Sequence, residues 1–103
     1  MIINDSRAKV HTVAGRAFLV TSGIFQQYCR TFPDAGEWRA LQKRFEALRL
    51  HRKRPNGLNI WTCRVQGPRK TSLVKGYLIE QPEGIFETVP ADNPFLRLVE
   101  DEP

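Results

Sequence analysis

Between positions 9 and 20 the apolar residues fall into two short runs, Lys9-Val10-His11-Thr12-Val13 and Arg16-Ala17-Phe18-Leu19-Val20-Thr21, parted by Ala14-Gly15. Two β-prone runs around a two-residue break containing glycine read as a β-hairpin. The period then changes. Ile24, Phe25, Tyr28, Cys29 and Phe32 recur at steps of one, three, one and three, which keeps one side of a helix apolar, and Ser22 precedes them as the N-cap candidate. This spacing predicts a helix over residues 23–31. Pro33-Asp34-Ala35-Gly36 ends it, because the residue before proline resists helical torsions and glycine accepts positive φ. A second helix is expected from near Glu37, with Trp38, Leu41, Phe45 and Leu48 at steps of three, four and three; Arg39, Gln42, Lys43, Glu46 and Arg49 take its flanks and outer face.

Pro55-Asn56-Gly57 then forces a turn, and residues 59–65 and 73–79 read as two strands joined by Gly67-Pro68-Arg69-Lys70-Thr71-Ser72. In the second of these strands Leu73, Tyr77 and Ile79 alternate with Val74 and Leu78, so both faces are apolar and the pattern does not say which is core. Gly76 inside it implies a bulge or a close backbone approach. Beyond it, Pro82 to Phe86 suits one helical turn and Phe95-Leu96 suits a fold back onto the domain, while residues 1–6 open the chain as a short extended piece running into a turn.

Helix, short glycine-containing turn, second helix basic on its outer face, then a hairpin with a basic tip is the sequence form of an α+β winged helix: a helix-turn-helix followed by a β-hairpin wing, here with an additional N-terminal β-hairpin. The domain is expected over 1–98, with residues 99–103 as a flexible acidic tail. A winged helix usually carries a helix before its first strand, and this chain has no room for one. It therefore reads as a C-terminal fragment of a larger protein; a covering molecule is the other way to supply that surface.

Charge sharpens the picture more than composition does. At 103 residues, 41% apolar and 26% charged, the chain is one ordinary globular domain, which excludes wholesale disorder. Its net charge of +5 is unevenly spread. Positions 36–75 hold eleven basic residues against Glu37 and Glu46, a net +9, whereas from Gly76 onward seven acidic residues face only Arg97. A focused positive field favours a polyanion such as DNA, duplex or single-stranded, over an acidic membrane surface. No run of about 18 apolar residues exists and the start lacks a signal-peptide pattern, so the expected location is cytoplasmic, with no membrane partner.

Three groups are candidates for DNA contact. Arg39, Gln42 and Lys43 share one side of the second helix, near enough in height to reach base edges. Arg49, Arg52, Lys53 and Arg54 form a dense basic elbow suited to phosphates, and Arg69 and Lys70 tip the hairpin. The bland reading of each is a solvated face. Trp38 and Phe45 fit core spacing, whereas Trp61 and Tyr77 stay open between core and stacking platforms for single strands. No catalytic residue, metal site or cofactor is expected. Cys29 and Cys63 have no second ligand at metal spacing and read as small packed residues, with a disulfide as the alternative. His51 and Glu46 lack an implied apolar pocket to tune them, and no phosphate-binding glycine motif occurs.

Residues Gly57-Leu58-Asn59-Ile60-Trp61-Thr62-Cys63, Gly67-Pro68-Arg69-Lys70 and Lys75-Gly76-Tyr77-Leu78, with Phe18-Leu19-Val20 running into Ser22-Gly23-Ile24-Phe25, resemble the C-terminal domain of MobH or TraI-type relaxases of integrating conjugative elements, also described as helicases. The resemblance covers about residues 2–98. It implies a DNA-binding winged helix attached, in larger members, to an N-terminal metal-dependent domain with His-Asp motifs that nicks DNA for transfer. Here His11 is followed by Thr12 and His51 by Arg52, so catalysis does not carry over. The expected function is a non-catalytic DNA-binding domain that positions a separate nicking module. The alternative is an interaction module that docks other conjugation proteins or forms a homodimer.

Overall fold

The structure, a computed structural model, describes residues 4–5 and 8–99. The opening residues 1–3 and the acidic positions 100–102 lie outside them. Five strands, β1 (Val10–Val13), β2 (Arg16–Val20), β3 (Trp61–Gln66), β4 (Thr71–Ile79) and β5 (Leu96–Leu98), form one sheet in the order β1-β2-β4-β3-β5. Every neighbouring pair is antiparallel. Helices α1 (Gly23–Thr31) and α2 (Trp38–Leu48) follow β2, linked by a 3-10 turn at Pro33–Ala35.

The first hairpin turns through Ala14 at φ 53° and Gly15 at φ 73°. Both central residues have positive φ, the twist that a two-residue hairpin requires. Glu37 caps α2: its carboxylate accepts from the backbone N–H of Arg39 at 3.0 Å and of Ala40 at 3.3 Å.

Two apolar clusters lie on opposite faces of the sheet. Val10, Ala17, Leu19, Tyr77 and Ile79 pack beneath Phe25 of α1 and Trp38, Leu41 and Phe45 of α2. On the other face Val13 of β1 and Leu96 of β5, from opposite edges of the sheet, join Phe18, Cys63 and Leu78. Edge strands meet in one cluster only if the sheet curls around it, so this is the concave interior of a half-barrel. Burial pushes the Cys63 thiol up to about 12, and it stays protonated there. Both cysteines are free.

The helix-turn-helix and winged-helix expectation is overturned by this topology. A wing is an appendage at the edge of a sheet, whereas β4 is the middle strand of five, flanked by β2 and β3. The cause is its two apolar faces: Leu78 fills the interior while Tyr77 and Ile79 lie under the helices, and a strand needing cover on both sides goes to the centre. Nor does α2 stand free to enter a groove. Phe45 lies 4.9 Å from the Tyr77 ring, and Gln42 and Glu46 both bond the Tyr77 hydroxyl. Tyr77 is fully buried, so it is core, and Trp61 packs against the interior cluster while its indole N–H donates to the Arg52 carbonyl at 2.8 Å. Residues 95–96 do fold back, Phe95 in the turn before β5 and Leu96 as its first residue, and pairing reaches Val99, whose N–H donates to the Thr62 carbonyl at 2.8 Å.

The gap between the two edges is bridged by a short polar chain. His11 donates through Nε2 to the Ala8 carbonyl, 3.1 Å, so its Nδ1 accepts from the Asn93 amide, 3.1 Å, and Asn93 in turn accepts from the Phe95 N–H, 3.0 Å. Burial, aided by Lys9 and opposed by the Ala8 bond and Asp5, holds the imidazole below its ordinary 6.5. A depressed histidine contributes stability above the unfolded value of 6.5 and loses it as pH falls through the folded one. Urea midpoints should therefore drop between pH 7.5 and 5, and His11→Gln should flatten that part of the profile; an unchanged slope would exclude the bridge as its source.

Candidate nucleic-acid interface

Strand alternation sorts the hairpin's side chains. Trp61, Cys63 and Val65 of β3 pack with the interior cluster, as do Val74 and Leu78 of β4. Thr62, Arg64 and Gln66 must then point to the outer face, with Leu73, Lys75 and Tyr77. Helix α2 covers that face at Tyr77. Short of it the face is bare, and Arg64, Leu73 and Lys75 are exposed there together with Arg97 of β5.

Register makes this patch unusual. Arg64 stands opposite Leu73 on one side and Arg97 on the other, and Thr62 stands opposite Lys75. Opposed residues on one face have Cβ atoms about 4.5–5.5 Å apart, and like charges in that position are destabilising. No carboxylate of the described residues pairs with them: there the ion pairs are Arg16 and Arg52 with Glu80, at 3.2 and 3.1 Å, and Arg39 with Glu37 at 3.0 Å. Arg64, Lys75 and Arg97 take part in none of these.

The nine residues singled out from sequence are not gathered at one point. Arg39, Gln42 and Lys43 do share a flank of α2, next to Tyr77, and Lys75 follows Tyr77 on the same face of β4. Yet Arg39 is already engaged by Glu37 and stacks on Trp38, 4.3 Å from the ring, and Gln42 donates to the Tyr77 hydroxyl at 2.9 Å. Arg49 forms the left-handed C-cap of α2 at φ 57° and is exposed. Arg52 pairs with Glu80, whose carboxyl the Arg16 hydrogen bond and the two guanidinium charges hold below the usual range. Arg54 donates to the Ile60 carbonyl at 3.1 Å, while Lys53 is exposed.

Arg69 and Lys70 are exposed in the β3–β4 turn. The indole bond to Arg52 places the elbow at the Trp61 end of β3, so the turn lies at its far end, about 17 Å away at roughly 3.3 Å per residue. Arg64, Lys75 and Arg97 occupy the span between. Sequence reasoning counted Arg64 and Lys75 in the basic block without selecting them and saw Arg97 only as a lone cation in an acidic stretch. The signal that finds them is the period-two pattern of β3, where Arg64 alternates with Cys63 and Val65.

Burial first, then the Glu46 bond, raises the Tyr77 hydroxyl well above its ordinary value of 10.0, so this buried phenol stays protonated. Among the described residues no three His, Cys, Asp or Glu side chains come together as a metal site, and no helix is long and apolar enough to cross a membrane.

A family model described as "Putative conjugal transfer nickase/helicase TraI C-term" matches residues 1–98. Among solved structures, the crystal structure of the C-terminal domain of the Salmonella enterica protein STY4665 is similar with a TM-score of 0.80 and 25% identity, covering 96% of this chain and 82% of that one. No curated protein matches.

Proposed function

Because the chain belongs to the family of C-terminal regions of TraI-type conjugal transfer nickase/helicases, we propose that it is a DNA-binding domain that holds transfer DNA for a nicking module elsewhere in the protein. The observation that carries this reading is the bare outer face of β3, β4 and β5. Three cations stand there without a carboxylate among the described residues, two of them directly opposed. A fold keeps opposed like charges at some cost, and a phosphate placed between them removes that cost.

The patch sits midway between Arg69 and Lys70 at the turn and Lys53 near Trp61, so a backbone laid along the hairpin would meet cations throughout. With five or six phosphates neutralised, log affinity falls against log salt with a slope of about −4.5 to −5.4 on duplex DNA, and somewhat less on single strands. Fluorescence anisotropy at several salt concentrations measures this slope, and absence of any DNA affinity at low salt would defeat the proposal.

Protein docking has one specific observation in its favour. Tyr28 of α1 and Phe32, its C-cap, are 48% and 53% exposed with ring centroids 4.8 Å apart. The pair belongs to the α1 segment, which packs mainly on α2 and β2, so docking there is compatible with DNA contact on β3 and β5 and not a substitute for it.

A further inference from the structure

The basic block of residues 36–75 holds two carboxylates, Glu37 and Glu46, and the fold gives each a partner. Glu37 caps α2 and pairs with Arg39 at 3.0 Å. Glu46 pairs with no cation among the described residues, although Lys43 stands one helical turn before it, the spacing at which a helix brings opposite charges together. Its carboxylate accepts instead from the Tyr77 hydroxyl, and that oxygen accepts from the Gln42 amide at 2.9 Å. Because Gln42 supplies a proton to the phenol oxygen, the phenol's own proton is left for Glu46. Tyr77 is fully buried, so the carboxylate is drawn down toward the sheet.

Lys43 is thereby left open. Arg39, Ala40, Gln42, Lys43 and Glu46 line a hollow of about 560 Å³ on the surface of α2. Within it Arg39 is engaged by Glu37 and Trp38, whereas Lys43 is exposed and takes part in no ion pair among the described residues. The hollow adjoins the bare sheet face through the same phenol. Tyr77 follows Lys75 by two positions on one side of β4, about 7 Å along the strand. A phosphate backbone crossing Arg64 and Lys75 toward α2 would meet Lys43 next. A carboxylate turned outward at that point pairs with Lys43 and repels phosphate, and one held inward does neither.

We propose that Tyr77 is a positioning residue of the DNA interface: by holding the Glu46 carboxylate against the sheet it leaves Lys43 to bind a phosphate, and so extends the cationic face of β3, β4 and β5 onto α2. The inference rests on the DNA-binding reading and goes beyond it by giving a buried side chain that touches no DNA a part in binding.

The test is fluorescence anisotropy with a labelled duplex on the 103-residue chain and on Lys43→Ala, Tyr77→Phe, Glu46→Gln and the double variant Tyr77→Phe with Glu46→Gln. Lys43→Ala is expected to lower the salt slope by about 0.9, the share of one phosphate contact. Tyr77→Phe keeps every cation and keeps the ring in the core, yet it is expected to weaken binding about three- to five-fold at low salt, the scale of an exposed ion pair between Lys43 and the released Glu46. Glu46→Gln is expected to repair that loss in the double variant while changing the parent's affinity by less than about two-fold, a coupling between neighbours that a merely loosened core does not produce. Melting followed by circular dichroism sets a titration temperature at which the variants are folded. Tyr77→Phe binding as tightly as the parent, or a loss that Glu46→Gln fails to repair, would overturn the role of Tyr77. An unchanged salt slope in Lys43→Ala would overturn the contact on α2, even if Tyr77→Phe does not fold. A parent chain with no DNA affinity at low salt would instead overturn the DNA-binding reading, and this inference with it.

Discussion

Gly76→Ala is expected to cost the domain about 3 kcal/mol or more and to lower its melting temperature by roughly 10–20 °C, the shift such a loss produces in a chain of this size. Gly76 lies in β4, opposite Val20 of β2 and Trp61 of β3. A Cβ built there falls onto the Leu19 carbonyl oxygen and comes within 2.9 Å of the Phe18 ring. Neither neighbour has room to yield. The Leu19 carbonyl belongs to the adjoining strand, and Phe18 is fully buried in the half-barrel. Relief requires β2 and β4 to separate, which breaks the pairing that joins the first hairpin to the rest of the sheet. Thermal unfolding followed by circular dichroism measures the shift; a variant melting within about 3 °C of the parent would mean that the two strands part more easily than their geometry implies.

The same glycine marks how far local pattern carries. A close backbone approach was legible at position 76 because glycine within an apolar strand has few other uses. Both helices were legible too, since their apolar spacing and the proline-glycine break are local facts, and α1 ends at Thr31 and α2 starts after Glu37 as the spacing predicts. The pairing of β2 with β4 was not. It joins residues almost sixty positions apart, and nothing near either strand states its partner. The misleading feature was order: two amphipathic helices followed by a basic hairpin match a winged helix in sequence, although here the hairpin lies in mid-sheet and the helices roof its outer face. The alternation of Leu73, Tyr77 and Ile79 with Val74 and Leu78 was the one clue to that central position. For the site, the basic block was legible as a total, but its free part was not. Glu80 engages Arg52 from 28 residues away, Arg54 turns inward to Ile60, and Arg97 reaches Arg64 only through β5 pairing.

Arg64→Glu separates function from stability in one variant. It converts the opposed pair of Arg64 and Arg97 from like to unlike charge, so folding stability is expected to rise slightly, by about 0.2–1 kcal/mol. DNA affinity should move the other way. Removing one phosphate-binding cation lowers the salt slope by about one, and the added carboxylate also captures Arg97, so the loss approaches two contacts. At low salt, where such contacts count most, a fall of at least ten-fold is expected on both strand forms. Arg52→Glu is the matched comparison: it carries the same charge change at a guanidinium already held by Glu80, and there the fall in affinity should be smaller while stability drops, because Glu80 then faces a new carboxylate. A sheet face kept merely soluble by its arginines would show no such contrast. If Arg64→Glu binds DNA as tightly as the parent, the outer face of β3, β4 and β5 is not the interface, whatever the helices and the turn contribute.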